Sequence, residues 1–233
     1  MLEINNVTYS YPKSKRVFEN FSLSFTEGGV YGLLGKNGTG KSTLLYMIMG
    51  LLHPQSGVVL MDGVDTRLRR PDVLADMFLL PEEYDLPAVT LDKYITLVKS
   101  FYPRFSEEIL ERCLATFELP RDVKLNALSM GQKKKAYLCI ALATQCRLLL
   151  LDEPTNGLDI PSKSQFRKVI AGNVSDEQII IISTHQVHDV EHLLDHVTLI
   201  DNNCILLHDR MDALGGEDGV VDLEQLFNEK IEK

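Results

Sequence analysis

Gly35, Gly40, Lys41 and Ser42 follow one another in the order G-x-x-x-x-G-K-S. That spacing belongs to a loop that wraps a polyphosphate. Glycines let the backbone fold into a concave nest of N–H groups that hold phosphate oxygens. A helix beginning directly after the loop adds partial positive charge at the same place. Lys41 is long enough to reach the outer phosphates, and the Ser42 hydroxyl can ligate Mg²⁺. The expected binding set is Gly35, Asn37, Gly38, Thr39, Gly40, Lys41, Ser42 and Thr43.

A second group of reactive residues closes an apolar run. Leu148, Leu149, Leu150 and Leu151 lead into Asp152 and Glu153. A carboxylate at the end of a buried strand is where Mg²⁺ on a loop-bound nucleotide is held. Asp152 is assigned to the metal. Glu153, one residue on, points elsewhere and can deprotonate a water attacking a γ-phosphate.

These residues need a scaffold, and the pattern supplies one. Residues 30–34 read as a strand and 43–50 as an apolar helix, the flanks the loop requires. Residues 2–9 and 17–25 alternate imperfectly and are rich in β-formers, so antiparallel strands are expected. Residues 57–61 form a strand ending in an Asp62-Gly63 turn, and 76–81 a short strand ending at Pro81. From Thr90 to Gln145 the pattern is helical, with Thr90 and Ser106 as N-caps and Ile109, Cys113, Leu114 and Phe117 on one face. The sheet resumes at 147–152 and 179–183, each buried on both faces. A helix begins near Pro161, and 187–194 is expected to be helical too. Residues 197–200 and 204–207 flank a tight Asn202-Asn203 hairpin, and Leu223, Leu226 and Phe227 mark a short amphipathic helix.

Composition limits what such a chain does. Its 233 residues, 45% of them hydrophobic, suit one globular unit. A net charge of -9 argues against nucleic acid as the main partner. The apolar runs 148–151 and 179–182 fall far short of the ~18 residues that span a bilayer. The first six residues lack a basic stretch, so no signal peptide is expected and the chain should be cytoplasmic. Cys113, Cys139, Cys146 and Cys204 are scattered among apolar neighbours and read as reduced core residues.

Three further segments make the reading specific. Leu128-Ser129-Met130-Gly131-Gln132 lies between Lys41 and Asp152. Thr155-Asn156-Gly157-Leu158-Asp159 follows the acidic pair, and His185 ends the 179–184 run. In this order they resemble the signature, D-loop and switch histidine of the ATP-binding cassette family, and Tyr11 matches the aromatic position that stacks on adenine. The resemblance covers about residues 2–227. It implies an α/β fold: a P-loop NTPase core with a mixed, largely parallel sheet, an N-terminal antiparallel β subdomain and a small α-helical subdomain. Residues 1–81 and 146–233 would form the core of a single domain, and 82–145 the helical part.

The resemblance also implies a mechanism. Two cassettes close head-to-tail on two ATP molecules with Mg²⁺, and Ser129, Gly131 and Gln132 of one meet the γ-phosphate held by the other. Asp159 shapes that contact, and His185 hydrogen-bonds the γ-phosphate and the attacking water. The chain would be the ATPase subunit of a transporter, paired with a second ATPase subunit and seated on separate integral membrane permease subunits at the inner face of the membrane. No nucleic acid is expected. The Phe101-Tyr102-Pro103-Arg104-Phe105 stretch looks like cassettes of bacterial exporter type. The alternative is a non-transport cassette ATPase bound to ribosomes or DNA. The spacing between Lys41 and Ser129 leaves no room for a long coiled coil, and only one phosphate loop is present.

Two departures from the family pattern stand out. Met130 occupies a usual glycine position. Glu82, after Pro81, stands where a glutamine is usual. A carboxylate is a better Mg²⁺ ligand than an amide, so Glu82 joins the expected metal set with Ser42 and Asp152. Lys133 and Lys134 read as a solvated basic face. His188, His192 and His196 recur at helical spacing and read as an exposed helix face.

Overall fold

The computed structural model describes residues 1–13, 16–215 and 223–231. Strands β1 (Leu2–Ser10) and β2 (Arg16–Phe25) pair antiparallel. Asn6 is left-handed, and the β1–β2 register shifts between Ile4 and Val7. This bulge is why the sequence alternates imperfectly: Leu2 and Ile4 face the core before it, Val7 and Tyr9 after it. Strand β3 (Gly29–Leu34) is buried throughout and leads through the phosphate loop into helix α1 (Lys41–Ile48). Strand β4 (Ser56–Met61) returns antiparallel to β1 and turns through left-handed Asp62 and Gly63 into β5 (Val64–Asp65).

The short helix α2 (Pro71–Leu74) precedes β6 (Met77–Leu80). Helices α3 (Leu91–Lys99), α4 (Glu107–Phe117) and α5 (Met130–Ala143) follow. Thr90 and Ser106 cap α3 and α4 as expected, their hydroxyls accepting from the Lys93 and Ile109 amides at 3.4 and 3.2 Å. The buried stripe of α4 is Leu110, Cys113, Leu114 and Phe117, with Ile109 only partly covered. Then come β7 (Leu148–Asp152), α6 (Ile160–Ala171), β8 (Ile179–Thr184), β9 (His196–Asp201), β10 (Cys204–Arg210), α7 (Met211–Leu214) and α8 (Leu223–Ile231). Asn202 and Asn203, both left-handed, close the β9–β10 hairpin.

The strands form two sheets. One is antiparallel in the order β2-β1-β4-β5; the other runs β10-β9-β3-β8-β7-β6, parallel except at the β10 edge. The parallel sheet separates two hydrophobic clusters. Leu149, Leu151, Ile180 and Ile182 face α3, α4 and α5, while Leu148, Leu150, Ile179 and Ile181 face α1 and the antiparallel sheet. Leucine and isoleucine runs without polar interruption are what a strand covered on both sides requires. In such sheets ligands bind beyond the carboxyl ends of the strands. Here those ends carry the phosphate loop (β3), Glu82 (beyond β6), Asp152 and Glu153 (β7) and His185 (β8).

Three expectations need correction. Residues 187–194 form two single 3₁₀ turns, Val187–Asp189 and Glu191–Leu193, rather than a helix. His196 is buried in β9 and stacks on Tyr31, so the three histidines share no face. Cys113, Cys139 and Cys146 are buried, but Cys204 is exposed at the hairpin.

Candidate nucleotide site

The loop after β3 is shaped for an anion. Gly38 and Gly40 have φ of 84° and 101°, where a side chain is strained. A Cβ on Gly40 would also lie 2.7 Å from Phe18 and Val17. Gly40 is the N-cap of α1, and no side chain bonds the first amides of that helix. Lys41 is buried. Its ammonium donates to the Gly35 and Lys36 carbonyls at 2.8 and 3.2 Å and stands 3.6 Å from Glu153 Oε1. Burial pulls its pKa down, and Glu153 and Asp152 oppose that pull. Thr39 Oγ1 donates to the Lys36 carbonyl at 2.9 Å and braces the loop.

Asp152 and Glu153 diverge as the strand pattern requires. Ser42 Oγ donates to Asp152 Oδ1 at 3.0 Å, and Ser183 Oγ donates to the same oxygen. Asp152 Oδ2 is buried with no hydrogen-bond partner among the described residues. Burial raises the Asp152 pKa, while the two hydroxyls hold it back. A half-satisfied carboxylate beside a serine hydroxyl is an oxygen donor set suited to a hard cation.

Glu153 sits at φ 44°, a left-handed conformation that a non-glycine residue adopts at a cost of roughly 1–3 kcal/mol. Its amide donates to the Ser183 carbonyl at 3.0 Å. Its carboxylate is held from three sides: Oε1 lies 2.9 Å from His185 Nδ1, Thr184 Oγ1 donates to Oε2 at 3.2 Å, and Lys41 completes the set. With Glu153 ionised, His185 carries its proton on Nδ1 and donates it to the carboxylate.

These groups surround one cavity of about 550 Å³. Asn37, Gly38, Gly40, Lys41, Ser42 and Thr43 form one wall, and Glu82, Glu153, Asn156 and His185 another. Tyr11 lies at the rim with its hydroxyl 3.1 Å from Thr43 Oγ1 and its ring edge-on to Tyr9. Glu82 Oε1 accepts from Asn156 Nδ2 at 2.9 Å.

Seven expected site residues do not line this cavity: Gly35 and Asp152, which bond the lining residues Lys41 and Ser42, Thr39 within the loop, and Ser129, Gly131, Gln132 and Asp159. Ser129 and Gln132 form a complete capping box at the start of α5: each side chain accepts from the other's amide, at 3.3 and 3.0 Å. Asp159 Oδ1 accepts from the Ser162 amide at 2.8 Å and caps α6. Gly131 lies beside Leu158, where a Cβ would make only an ordinary 3.6 Å contact.

Other residues at the site escaped the sequence reading. Ser183 and Thr184 bond both acids, and the only signal was their polarity at the end of an isoleucine run. Asn156 was visible in the T-N-G-L-D segment without a role. Lys134 is the clearest miss: it is buried, not solvated, and its ammonium donates to the Glu153 and Asn156 carbonyls at 3.0 and 2.7 Å.

Comparison with known proteins agrees with this geometry. The family model described as ABC transporter matches residues 18–156. The lantibiotic transport ATP-binding protein SrtF of Streptococcus pyogenes is 32% identical over 232 residues, covering 99% of this chain and 97% of SrtF. The ABC transporter ATP-binding protein YtrB of Bacillus subtilis (strain 168) is 27% identical, covering 99% of this chain and 75% of YtrB. The solved structure of an ATP-binding subunit of an ABC transporter shares the fold, with a TM-score of 0.85 at 24% identity over 99% of both chains. With the phosphate loop, acidic strand end and switch histidine gathered on one cavity, the chain belongs to the ABC transporter family, as an ATP-binding and ATP-hydrolysing transport subunit.

Proposed function

We propose that this cavity binds MgATP and that Glu153 is the base of its hydrolysis, within a head-to-tail pair of such subunits. The observation that carries the reading is the Glu153 carboxylate, strained at its backbone and held by Lys41, Thr184 and His185 on the wall facing the phosphate loop. A base aimed in advance needs little reorganisation when water attacks. The α1 amides and the nest at Gly38 and Gly40 take the phosphates, and Tyr11 offers its ring to adenine. Lys41 moves its ammonium from loop carbonyls to phosphate oxygens. Ser42 and Asp152, with Glu82 beside them, would hold Mg²⁺, which neutralises phosphate charge when bound. His185 orients Glu153.

Ser129, Gly131, Gln132 and Asp159 act, in this reading, on the nucleotide of the paired subunit. Their absence from the lining of the chain's own cavity supports that. Permease subunits supply the membrane path, since among the described residues no helix is long and apolar enough to cross a membrane. The 82–145 segment is proposed as the helical part that meets them, with 1–81 and 146–233 as the core. The exposed Leu97 and Phe101 on and after α3 offer apolar surface for such a contact. The Phe101–Phe105 stretch supports the exporter type. The subunit would thus lie at the cytoplasmic face through its partners.

Replacing Glu153 by Gln tests the reading. MgATP should bind with an unchanged Kd, turnover should fall by about 10³-fold, and an ATP-bound dimer should accumulate in size-exclusion chromatography. Hydrolysis within tenfold of the wild-type rate would remove Glu153 as the base.

A further inference from the structure

Lys134 is the fifth residue of α5, the helix that begins at the signature serine. The helix dipole disfavours a cation in this first part of a helix, and burial disfavours it further. Its pKa is lowered by that burial, against the pull of Glu82, Glu153 and Asp152. Yet the ammonium is fixed. It donates to the Asn156 carbonyl at 2.7 Å and to the Glu153 carbonyl at 3.0 Å. The Glu153 carbonyl also accepts from the Asn156 amide at 3.2 Å, so residues 153–156 form a tight turn with both carbonyls aimed at one ammonium. Asn156 then passes the contact on: its side-chain amide donates to Glu82 Oε1 at 2.9 Å. Glu82 and Asn156 both line the nucleotide cavity.

One side chain thus joins four parts of the machinery. The signature helix holds Lys134. Lys134 holds the turn that carries Glu153 and leads to Asp159. The turn holds Glu82, where the chain carries a charge in place of a neutral amide. We propose that Lys134 is a positioning residue of ATP hydrolysis, fixing Glu153 and, through Asn156, Glu82 to the signature-bearing helix of the same chain. Movement of α5 against the strand ends is then felt at the base and at Glu82 together. The chemistry suits lysine. Two carbonyls need donors, and a cation balances carboxylates that a neutral donor would leave facing each other. The inference rests on the proposed roles of Glu153 and of the signature.

Lys134→Met and Lys134→Gln test it, with equilibrium MgATP binding and steady-state hydrolysis measured on the full chain. Lys134→Met should lower kcat by about 30-fold while KM and the MgATP Kd stay within about threefold. Lys134→Gln, which keeps one neutral donor and the fold, should lose about tenfold in kcat. Glu82→Gln should cost less in the Lys134→Met background than in the wild type, because the link to Glu82 is already cut. A kcat within twofold of wild type in Lys134→Met, or an additive cycle with Glu82→Gln, overturns the proposal. Unfolding of both Lys134 variants overturns it as well, since Lys134 would then serve folding alone. Failure of the wild-type chain to bind MgATP would instead sink the nucleotide reading.

Discussion

Helices α1 and α5 each carry a glycine at the N-cap or in the first turn, and both are assigned to phosphate, but they finish their N-termini in opposite ways. Gly40 caps α1 without a side chain, and the amides behind it face the cavity. Ser129 and Gln132 cap α5 against each other, and neither lines the chain's own nucleotide cavity. The first terminus is an anion site as folded. The second is already satisfied, and in the proposed pair it would exchange its internal bonds for a phosphate brought by another subunit. Under the proposed function the difference would separate binding from turnover: one chain would suffice for the first, and the second would wait for a pair.

Alanine at the two glycines gives the largest test of that separation. At Gly40 a methyl group meets Phe18 and Val17 at 2.7 Å and the backbone stays left-handed, a strain of about 1–3 kcal/mol before the clash is counted. Gly40→Ala should lose MgATP binding by at least about 100-fold in calorimetry, with a lower Tm. At Gly131 the methyl group makes only ordinary contact with Leu158. Gly131→Ala should bind MgATP within about twofold of wild type and fold normally, yet lose most hydrolysis, because the close approach it blocks is to the partner's nucleotide. Equal loss of binding in both variants would erase the distinction between the two termini.

Lys41→Ala follows in size. Removing a charge-assisted donor of about 1.5–3 kcal/mol should raise the MgATP Kd by roughly 10- to 100-fold. An unchanged Kd would contradict the assignment of the loop to phosphate.

The contrast between these helices also shows what the sequence disclosed. The phosphate loop was legible because its chemistry is local: the glycines, Lys41 and Ser42 lie within eight consecutive positions, and their backbone conformation follows from residue type. The parallel strands were legible because runs such as Leu148–Asp152 have no polar face to turn outward. Lys134 was not legible. Beside Lys133 and Lys135 it has the look of a charged surface, and only the approach of the 153–156 turn, some twenty residues later in the chain, makes it a buried ion. The segment 187–194 failed for a related reason. Its helical spacing of histidines and leucines was real, but His196 belongs to β9 and stacks on Tyr31, and the chain before it forms two single turns. Tertiary pairing decided both, and pairing has no local signature.

The smallest effect sharpens the comparison most, because it holds the cap chemistry constant. Ser129 and Ser106 each cap a helix by accepting from the amide three residues on, at 3.3 and 3.2 Å. Alanine at either should cost about 1 kcal/mol of stability, a loss read in denaturant unfolding. Ser106 sits at the start of α4, bonded through its amide to the Ala143 carbonyl at the end of α5, and does not line the nucleotide cavity. Ser106→Ala should therefore leave kcat unchanged. Ser129→Ala, at the same loss of stability and with the same MgATP Kd, should lower kcat by about tenfold, since the hydroxyl released from the capping box is the group a partner's phosphate would engage. If the two variants matched in kcat as well as in stability, Ser129 would be a helix cap and nothing more, and α5 would have no phosphate to meet.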